Sequence, residues 1–399
     1  MNSNIVKLSR LAAKQERIII GLMSGTSLDG LDVALCQVEG NGLQTNLHLK
    51  NFVTVAYNED FRQEVRSVFS KQTVNLQKLC LLNEWIAGEH ARMINDCLEK
   101  WEIDAADVDL IASHGQTIYH APLSLHGLDK FGNGTLQIGD GDHLAVGTGI
   151  ITLSDFRQKH LAAGGEGAPL AAYGDYILFS DDSTNVVLLN IGGISNFTFL
   201  PKNAAAGKMF SSDIGPGNTM MDGFMQEHFA GNHFDEDAIL GRQGTVNAAL
   251  LEALLQNDFL QQPLPKTTGP ELFNAAYLME ALRRASIPRP IDADIMATLN
   301  RFSAITIVNA LNEVIKNEPC KIFVSGGGMH NPLLMDYIKL HVKVASFHST
   351  AEKNINPDAK EAVLFAVLAN EAVAGNPLLI PTSLENFPAV SMGKISFPH

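Results

Sequence analysis

The chain has 399 residues, 46% hydrophobic and 18% charged, with a net charge of −14. Such a length outgrows a single core and predicts two domains. The apolar share excludes a disordered chain, and the acidic balance argues against nucleic acid or an anionic membrane as the main partner.

The opening "MNSNIVKLSRLAAKQER" is mildly basic and amphipathic but has no apolar h-region. It reads as a frayed extension before the first domain, in preference to a targeting presequence. Residues 17–57 read as three antiparallel strands, "RIIIGLM", "LDVALCQV" and "LHLKNFVTVAY". Asn58 caps a helical segment, and residues 74–101 keep a helical apolar period. "VDLIASHGQT" (108–117) reads as a short buried strand running into a polar loop, and "GIITLSDFR" as another strand ending at 157. "HLAAGGEGAPLAAYGD" reads as a glycine-rich loop followed by a helix.

At 186 the opening theme returns: "VVLLNIGGISNFTFL" is again strand, glycine turn, strand. The chain therefore reads as two copies of one unit. "SSDIGPGNTMMDGF" reads as a loop feeding a helix, 292–317 as a long helix, "KIFVSGGGMHNPLLMDYIKL" as strand, triple-glycine turn and helix, and 357–375 as a last helix. The expected domains are 1–155 with the C-terminal part 376–399, and 156–375. Four scattered cysteines, Cys36, Cys80, Cys97 and Cys320, with no CxxC, fit a reduced, cytoplasmic protein.

Three glycine-rich turns follow buried strands: Gly25–Asp32, Gly192-Gly193 and Gly326–Gly328. Glycine lets a phosphate approach the backbone, and converging N–H groups attract it. The alternative is three tight turns of an ordinary α/β protein. There is no GxxxxGK[ST], no GxGxxG spacing and no GxSxG, so P-loop, dinucleotide and hydrolase-elbow readings fail. Asp29, Asp32, Asp155 and Asp213 stand at strand ends or in glycine turns, where carboxylates hold Mg²⁺ through water, act as a base or merely cap. Asp213, before Gly215-Pro216-Gly217 and a helix start, ranks first as a base and Asp155 second. His114 is a substrate contact or a satisfied turn histidine. No His or Cys pattern supports zinc, and "HFDEDA" (233–238) reads as a solvated helix start.

"GLMSGTSLDGLDVAL", "SHGQTIYH", "LQIGDGDHLAVGTGI", "SDFR", "AAGGEGAPL", "LNIGGISNF", "DIGPGNTMMD", "PLPKTTGPELFN" and "VSGGGMHNPLLM" stand in one order along residues 17–375. That series resembles the anhydro-N-acetylmuramic acid kinases. The resemblance implies an α/β fold of two related ribonuclease H-like domains flanking a deep cleft, as in the sugar kinase, Hsp70 and actin superfamily. It implies an ATP- and Mg²⁺-dependent cytoplasmic enzyme that opens the 1,6-anhydro ring of its amino sugar with water and phosphorylates O6. It also carries a family expectation of a homodimer.

By motif, Gly25, Thr26, Ser27, Leu28, Asp29, Gly30, Leu31 and Asp32 would form the ATP phosphate loop. Gly192 and Gly193 would face phosphate, and Gly326, Gly327 and Gly328 would lie against the adenosine. Asp213 would be the base, and His114, Gln116, Asp155, Arg157 and Glu361 would meet the sugar. The metal ligands stay unassigned. Glu166 and Gln158-Lys159-His160 depart from the residues usual in that family. The rival readings are a related kinase for another sugar, or a nucleotide-dependent switch of the actin or Hsp70 kind.

Overall fold

The apolar runs on either side of the first glycine turn fold back on each other as expected. β1 (Glu16–Ser24) pairs antiparallel with β2 (Gly30–Glu39), in register from Glu16↔Glu39 to Ser24↔Leu31. β2 in turn pairs with β3 (Asn46–Ala56). The computed structural model describes residues 2–168, 170–202, 209–269, 271–353, 356–376 and 388–399. The chain up to Leu178, together with Lys353–His399, forms one compact unit, and Phe179–Glu352 forms a second.

In the first unit the meander continues through a parallel crossover. β4 (Leu110–Ala121) runs parallel to β1, and β6 (Thr152–Ser154) parallel to β4, while β5 (Gly134–Ile138) lies antiparallel along the far half of β4. The strand Lys394–Ser396 closes the sheet beside β6. Its order is therefore β3-β2-β1-β4-β6, then that last strand. The helices α2 (Glu59–Arg66) and α3 (Leu76–Lys100) start on asparagine caps, Asn58 and Asn75, whose side chains accept from the N–H groups of Phe61 and Lys78. Their apolar faces, with Phe61, Ile86 and Ile94, join β-strand residues Ile20, Leu22 and Val33 in one core. The C-terminal helix, Lys360–Ala374, packs on β1, β2 and β4 and is buried from Ala362 to Asn370. It lies so close to β1 that a Cβ on Gly21 would stand 1.9 Å from the Ala362 carbonyl oxygen.

The second unit repeats this plan. β7 (Asn185–Ile191), β8 (Ile194–Leu200) and β9 (Phe210–Pro216) form an antiparallel meander, β10 (Cys320–Ser325) runs parallel to β7, and β11 (Ala345–Ser349) parallel to β10. The order β9-β8-β7-β10-β11 matches β3-β2-β1-β4-β6 strand for strand and direction for direction. This is the ribonuclease H-like arrangement that the family resemblance implied, and it is present twice, as the repeated hairpin pattern predicted.

Several expectations change. The extension before residue 17 is not frayed. It forms α1 (Ser3–Ala13), capped by Asn2, and is tied down by Arg17, which is only 1% exposed. The Arg17 guanidinium donates to Asn370 Oδ1 at 2.6 Å, Gly40 O at 2.7 Å and Lys14 O. Lys14 pairs with Asp109 at 2.7 Å. The polar "HGQT" is not a loop but part of β4, because β5 supplies it with a partner strand. "SDFR" divides between the end of β6 and the start of α4 (Phe156–Ala162), with Asp155 at φ 56° between them. "SSDIGP" is strand β9, not a loop.

The units divide near 178 and 353, whereas the sequence suggested 155 and 375. The difference has a packing cause. The helix α5 (Ala171–Phe179), up to Leu178, and the C-terminal helix fall in the first unit, and Gly174 lets Leu364 of that helix approach. Of the expected C-terminal part 376–399, residues 377–387 lie outside the described residues.

Candidate active site

The first glycine turn, residues 25–29, joins β1 to β2. Thr26, Ser27 and Asp29 are exposed, whereas Leu28 is buried at φ 61°, anchoring the loop from below. Gly30 has no room for a side chain: a Cβ would meet Val55 O at 2.5 Å. Leu31 is buried, and Asp32 accepts from Thr54 Oγ1 at 2.6 Å. Partial burial and the nearby carboxylates Asp358 and Asp29 raise the Asp32 pKa, opposed by the Thr54 hydrogen bond.

A second group lies on the same unit. His114, buried in β4, shares its Nδ1 hydrogen with Gly115 O at 2.9 Å and accepts from Arg157 Nε at 3.0 Å through Nε2. Those partners assign the neutral tautomer with hydrogen on Nδ1. Burial, then the Arg157 charge, pushes its pKa down to about 3. Arg157, in the first turn of α4, also donates to Gly167 O at 2.7 Å. Glu361 opens the C-terminal helix. Its surroundings raise its pKa through desolvation and Asp32, with Arg157 and Lys360 pulling the other way. His114, Arg157, Glu361 and Asp32 are thus one electrostatic group.

Two further residues expected at the sugar have partners within the chain. Gln116 is fully buried and accepts from Ser24 Oγ at 2.5 Å. Asp155 pairs with Lys394. His160 accepts from the Gly167 N–H at 2.9 Å and so shapes the loop that Arg157 holds.

In the second unit three turns meet at the carboxyl ends of β7 and β10, where ligands of open α/β sheets bind. The Gly192 carbonyl accepts from Asn218 N at 2.8 Å, and the Gly193 carbonyl from Gly217 N at 2.9 Å and Thr219 N at 3.1 Å. The glycine turn is therefore clipped to the start of α6 (Thr219–His228), and Gly193 remains exposed. Gly326, at φ 84°, and Gly328 close on β7: a Cβ at either would strike Ile191, at 2.7 Å from its oxygen and 2.3 Å from its Cγ2. Gly327 is exposed beside Asn218.

Asp213 stands in β9, not in the loop before the helix as expected; it is opposite Asn196. Its N–H donates to Lys266 O at 2.9 Å, and its Oδ2 accepts from Thr268 N at 2.9 Å. Partial burial raises its pKa, and the Thr268 N–H moderates the rise. A fixed carboxylate with raised proton affinity suits a general base.

Sequence reasoning passed over the residues that hold these turns. α7 (Asp292–Ile315) lies behind them. Its Ser303 Oγ donates to Gly217 O at 2.9 Å, and its Asn300 donates to Asn331, the cap of α8 (Pro332–His341), at 3.0 Å. The signal was present: Asn300, Ser303 and Thr306 make a polar stripe at helical spacing in an otherwise apolar, buried helix. Lys266 and Thr268 lie in the motif "PLPKTTGPELFN", but their contact with Asp213 is made by backbone atoms and so has no signal in the residue types.

Among the described residues no group of three His, Cys, Asp or Glu side chains forms a metal cage. Asp29 and Asp358 each lie near enough to Asp32 to raise its pKa. That donor set fits a hard cation taking most of its ligands from phosphate and water. No helix among the described residues is long and apolar enough to cross a membrane.

The buried histidines give a testable acid response. Burial lowers His90 to about 4, against about 6.5 in an unfolded chain. Between those values the unfolded state binds the extra proton. Stability from His90 is therefore complete above about pH 6.5 and lost as pH falls toward 4. His90→Gln should flatten the decline of the urea midpoint between about pH 7 and 5. A steeper decline would mean that His90 binds its proton more readily folded than unfolded.

A family model described as anhydro-N-acetylmuramic acid kinase matches residues 17–398. A relative from Pseudoalteromonas atlantica, named anhydro-N-acetylmuramic acid kinase, is 54% identical over 100% of both chains. One of the same name from Pseudoalteromonas translucida is 51% identical, again over 100% of both. Another, from Caldanaerobacter subterraneus, is 37% identical over 98% of this chain and 99% of its own.

Proposed function

Since the chain belongs to the anhydro-N-acetylmuramic acid kinase family, we propose that it opens the 1,6-anhydro ring of anhydro-N-acetylmuramic acid with water and transfers the γ-phosphoryl group of ATP to O6. The product is N-acetylmuramic acid 6-phosphate, formed in the cytoplasm during recycling of cell-wall sugar. The observation that carries this reading is the full-length match, which runs through both glycine-turn units.

In this reading Asp213 takes a proton from water while that water's oxygen bonds to the anomeric carbon. The bond from the anomeric carbon to O6 breaks, and O6 keeps the electron pair. O6 then bonds to the γ-phosphorus, and ADP leaves. Mg²⁺, when bound, neutralises phosphate charge. Asp29 and Asp32, in the phosphate loop Gly25–Asp32, would hold it through water. Gly192 and Gly193 take phosphate through a turn already clipped to α6, and the Gly326–Gly328 turn, packed on β7 with Gly327 exposed, lies against the adenosine. Arg157, with its partner His114, and Glu361 bind the polar sugar. Gln116 braces the phosphate loop through Ser24, and Asp155, paired with Lys394, stands on the sugar side.

The test is ADP release with ATP and Mg²⁺, with and without the anhydro sugar, and the product mass. The expected result is release that depends on the sugar, and a product heavier by one phosphoryl group and one water. Gain of the phosphoryl group alone would keep the kinase and remove the ring opening. ADP release indifferent to the sugar would shift the reading to another acceptor or to a nucleotide switch.

A further inference from the structure

Tyr57 is the first residue after β3 and belongs to none of the glycine turns, yet it holds both shoulders of the first one. Its backbone N–H donates to Asp29 O at 3.1 Å, on the β2 side of the loop. Its hydroxyl donates to Ser24 Oγ at 2.7 Å, on the β1 side. Ser24 passes its own hydrogen to Gln116 Oε1 at 2.5 Å. Because the Tyr57 hydrogen is committed to Ser24, the 2.9 Å contact with His90 Nε2 is a donation from histidine to the phenol oxygen. His90, Tyr57, Ser24 and Gln116 thus form one directed chain of hydrogen bonds with no water-exposed member. Burial keeps His90 neutral, with a pKa of about 4.

The ring is fixed as firmly as the hydroxyl. It stacks on Phe61 with centroids 3.8 Å apart, and Phe61 packs against Trp85 at 5.4 Å. Arg62, one residue past Phe61 on α2, donates to Leu28 O at 3.0 Å. The loop between Ser24 and Asp29 is therefore held at both ends and at its buried Leu28, all from residues 57–62. Such over-determination preorganises backbone N–H groups before an anion arrives, so that less ordering remains to be done on binding.

We propose that Tyr57 is a positioning residue for nucleotide phosphate. It fixes the Gly25–Asp29 loop through its N–H and hydroxyl, and its link through Ser24 to Gln116 sets that loop against the strand carrying His114. The inference rests on the functional reading above, and the experiment separates the two. Tyr57→Phe removes one oxygen while keeping the stacked ring and the backbone bond to Asp29. It should weaken ADP binding in calorimetry about tenfold and raise the KM for ATP similarly, with the KM for the sugar within about twofold. Ser24→Ala should do the same. The double variant should be little worse than either single one, because both cut one chain of bonds.

A general loss of packing would instead lower stability and disturb both substrates together. Thermal unfolding of each variant accompanies the binding measurement for that reason. Wild-type nucleotide binding with unchanged affinity in Tyr57→Phe would overturn this inference alone, as would strictly multiplicative effects in the double variant. A wild-type chain that binds no nucleotide would overturn the functional reading and this inference with it.

Discussion

Asp213→Asn should lower kcat for sugar-dependent ADP release by about 10²–10⁴-fold and leave nucleotide affinity unchanged. The substitution is chosen to separate chemistry from scaffolding. Asparagine matches aspartate in shape, and its oxygen can still accept the Thr268 N–H that Oδ2 accepts now at 2.9 Å. The bond from the residue's own N–H to Lys266 O does not involve the side chain. A merely structural Asp213 would therefore survive the change. A base would not, since an amide cannot take a proton from water. The glycine turns that meet α6 make no use of the Asp213 side chain, so nucleotide titration should match wild type. The pH profile offers a second readout: kcat should fall on the acid side as the base is protonated. Its raised pKa puts that limb above the value of an ordinary aspartate. Near-normal turnover in the variant would remove Asp213 from the mechanism.

Gly21→Ala should be the most damaging single methyl group in the first unit. The Cβ it adds would lie 1.9 Å from Ala362 O and 2.9 Å from the carbonyl carbon behind it. Both neighbours are main chain, so no side chain can rotate away. Either β1 shifts within its ladder with β2 and β4, or the C-terminal helix lifts off all three strands. Overpacking of this kind costs about 3 kcal/mol, which for a unit of this size lowers the melting temperature by roughly 6–12 °C. Calorimetry on wild type and variant would decide it. An unchanged transition would mean that the helix does not rest on β1 as closely as described.

How much of this was legible in the sequence depended on where each stabilising partner lies along the chain. The two hairpins were readable because each is a pair of strand-length apolar runs around glycine, and that pairing is local. From them followed the repetition of one unit; its sheet plan came only with the family resemblance. "SSDIGP" misled because serine, aspartate, glycine and proline together signal a turn. It is a strand because β8 lends it a ladder, and Ser211 finds Thr198 across that ladder at 2.9 Å. The order of α1 was hidden for a related reason. Arg17 reaches Asn370, and no local pattern announces a partner at the other end of the chain. In the candidate site the glycine turns and the carboxylates were visible. The backbone that holds Asp213, and the buried Ser303 and Asn300 that brace the turns, emerged only when distant segments were placed side by side.

The first unit is interrupted in sequence by the whole of the second. During synthesis the first sheet emerges from the ribosome without the helix Lys360–Ala374, whose buried face covers β1, β2 and β4. The nascent sheet must wait, apolar side uncovered, while residues 179–352 are made. The second unit is continuous and can complete itself in the meantime. Translation order therefore reverses folding order: the half made first is finished last. A ribosome stalled before residue 360 would carry a folded second unit beside an open first one, and that exposed sheet is what a chaperone would find.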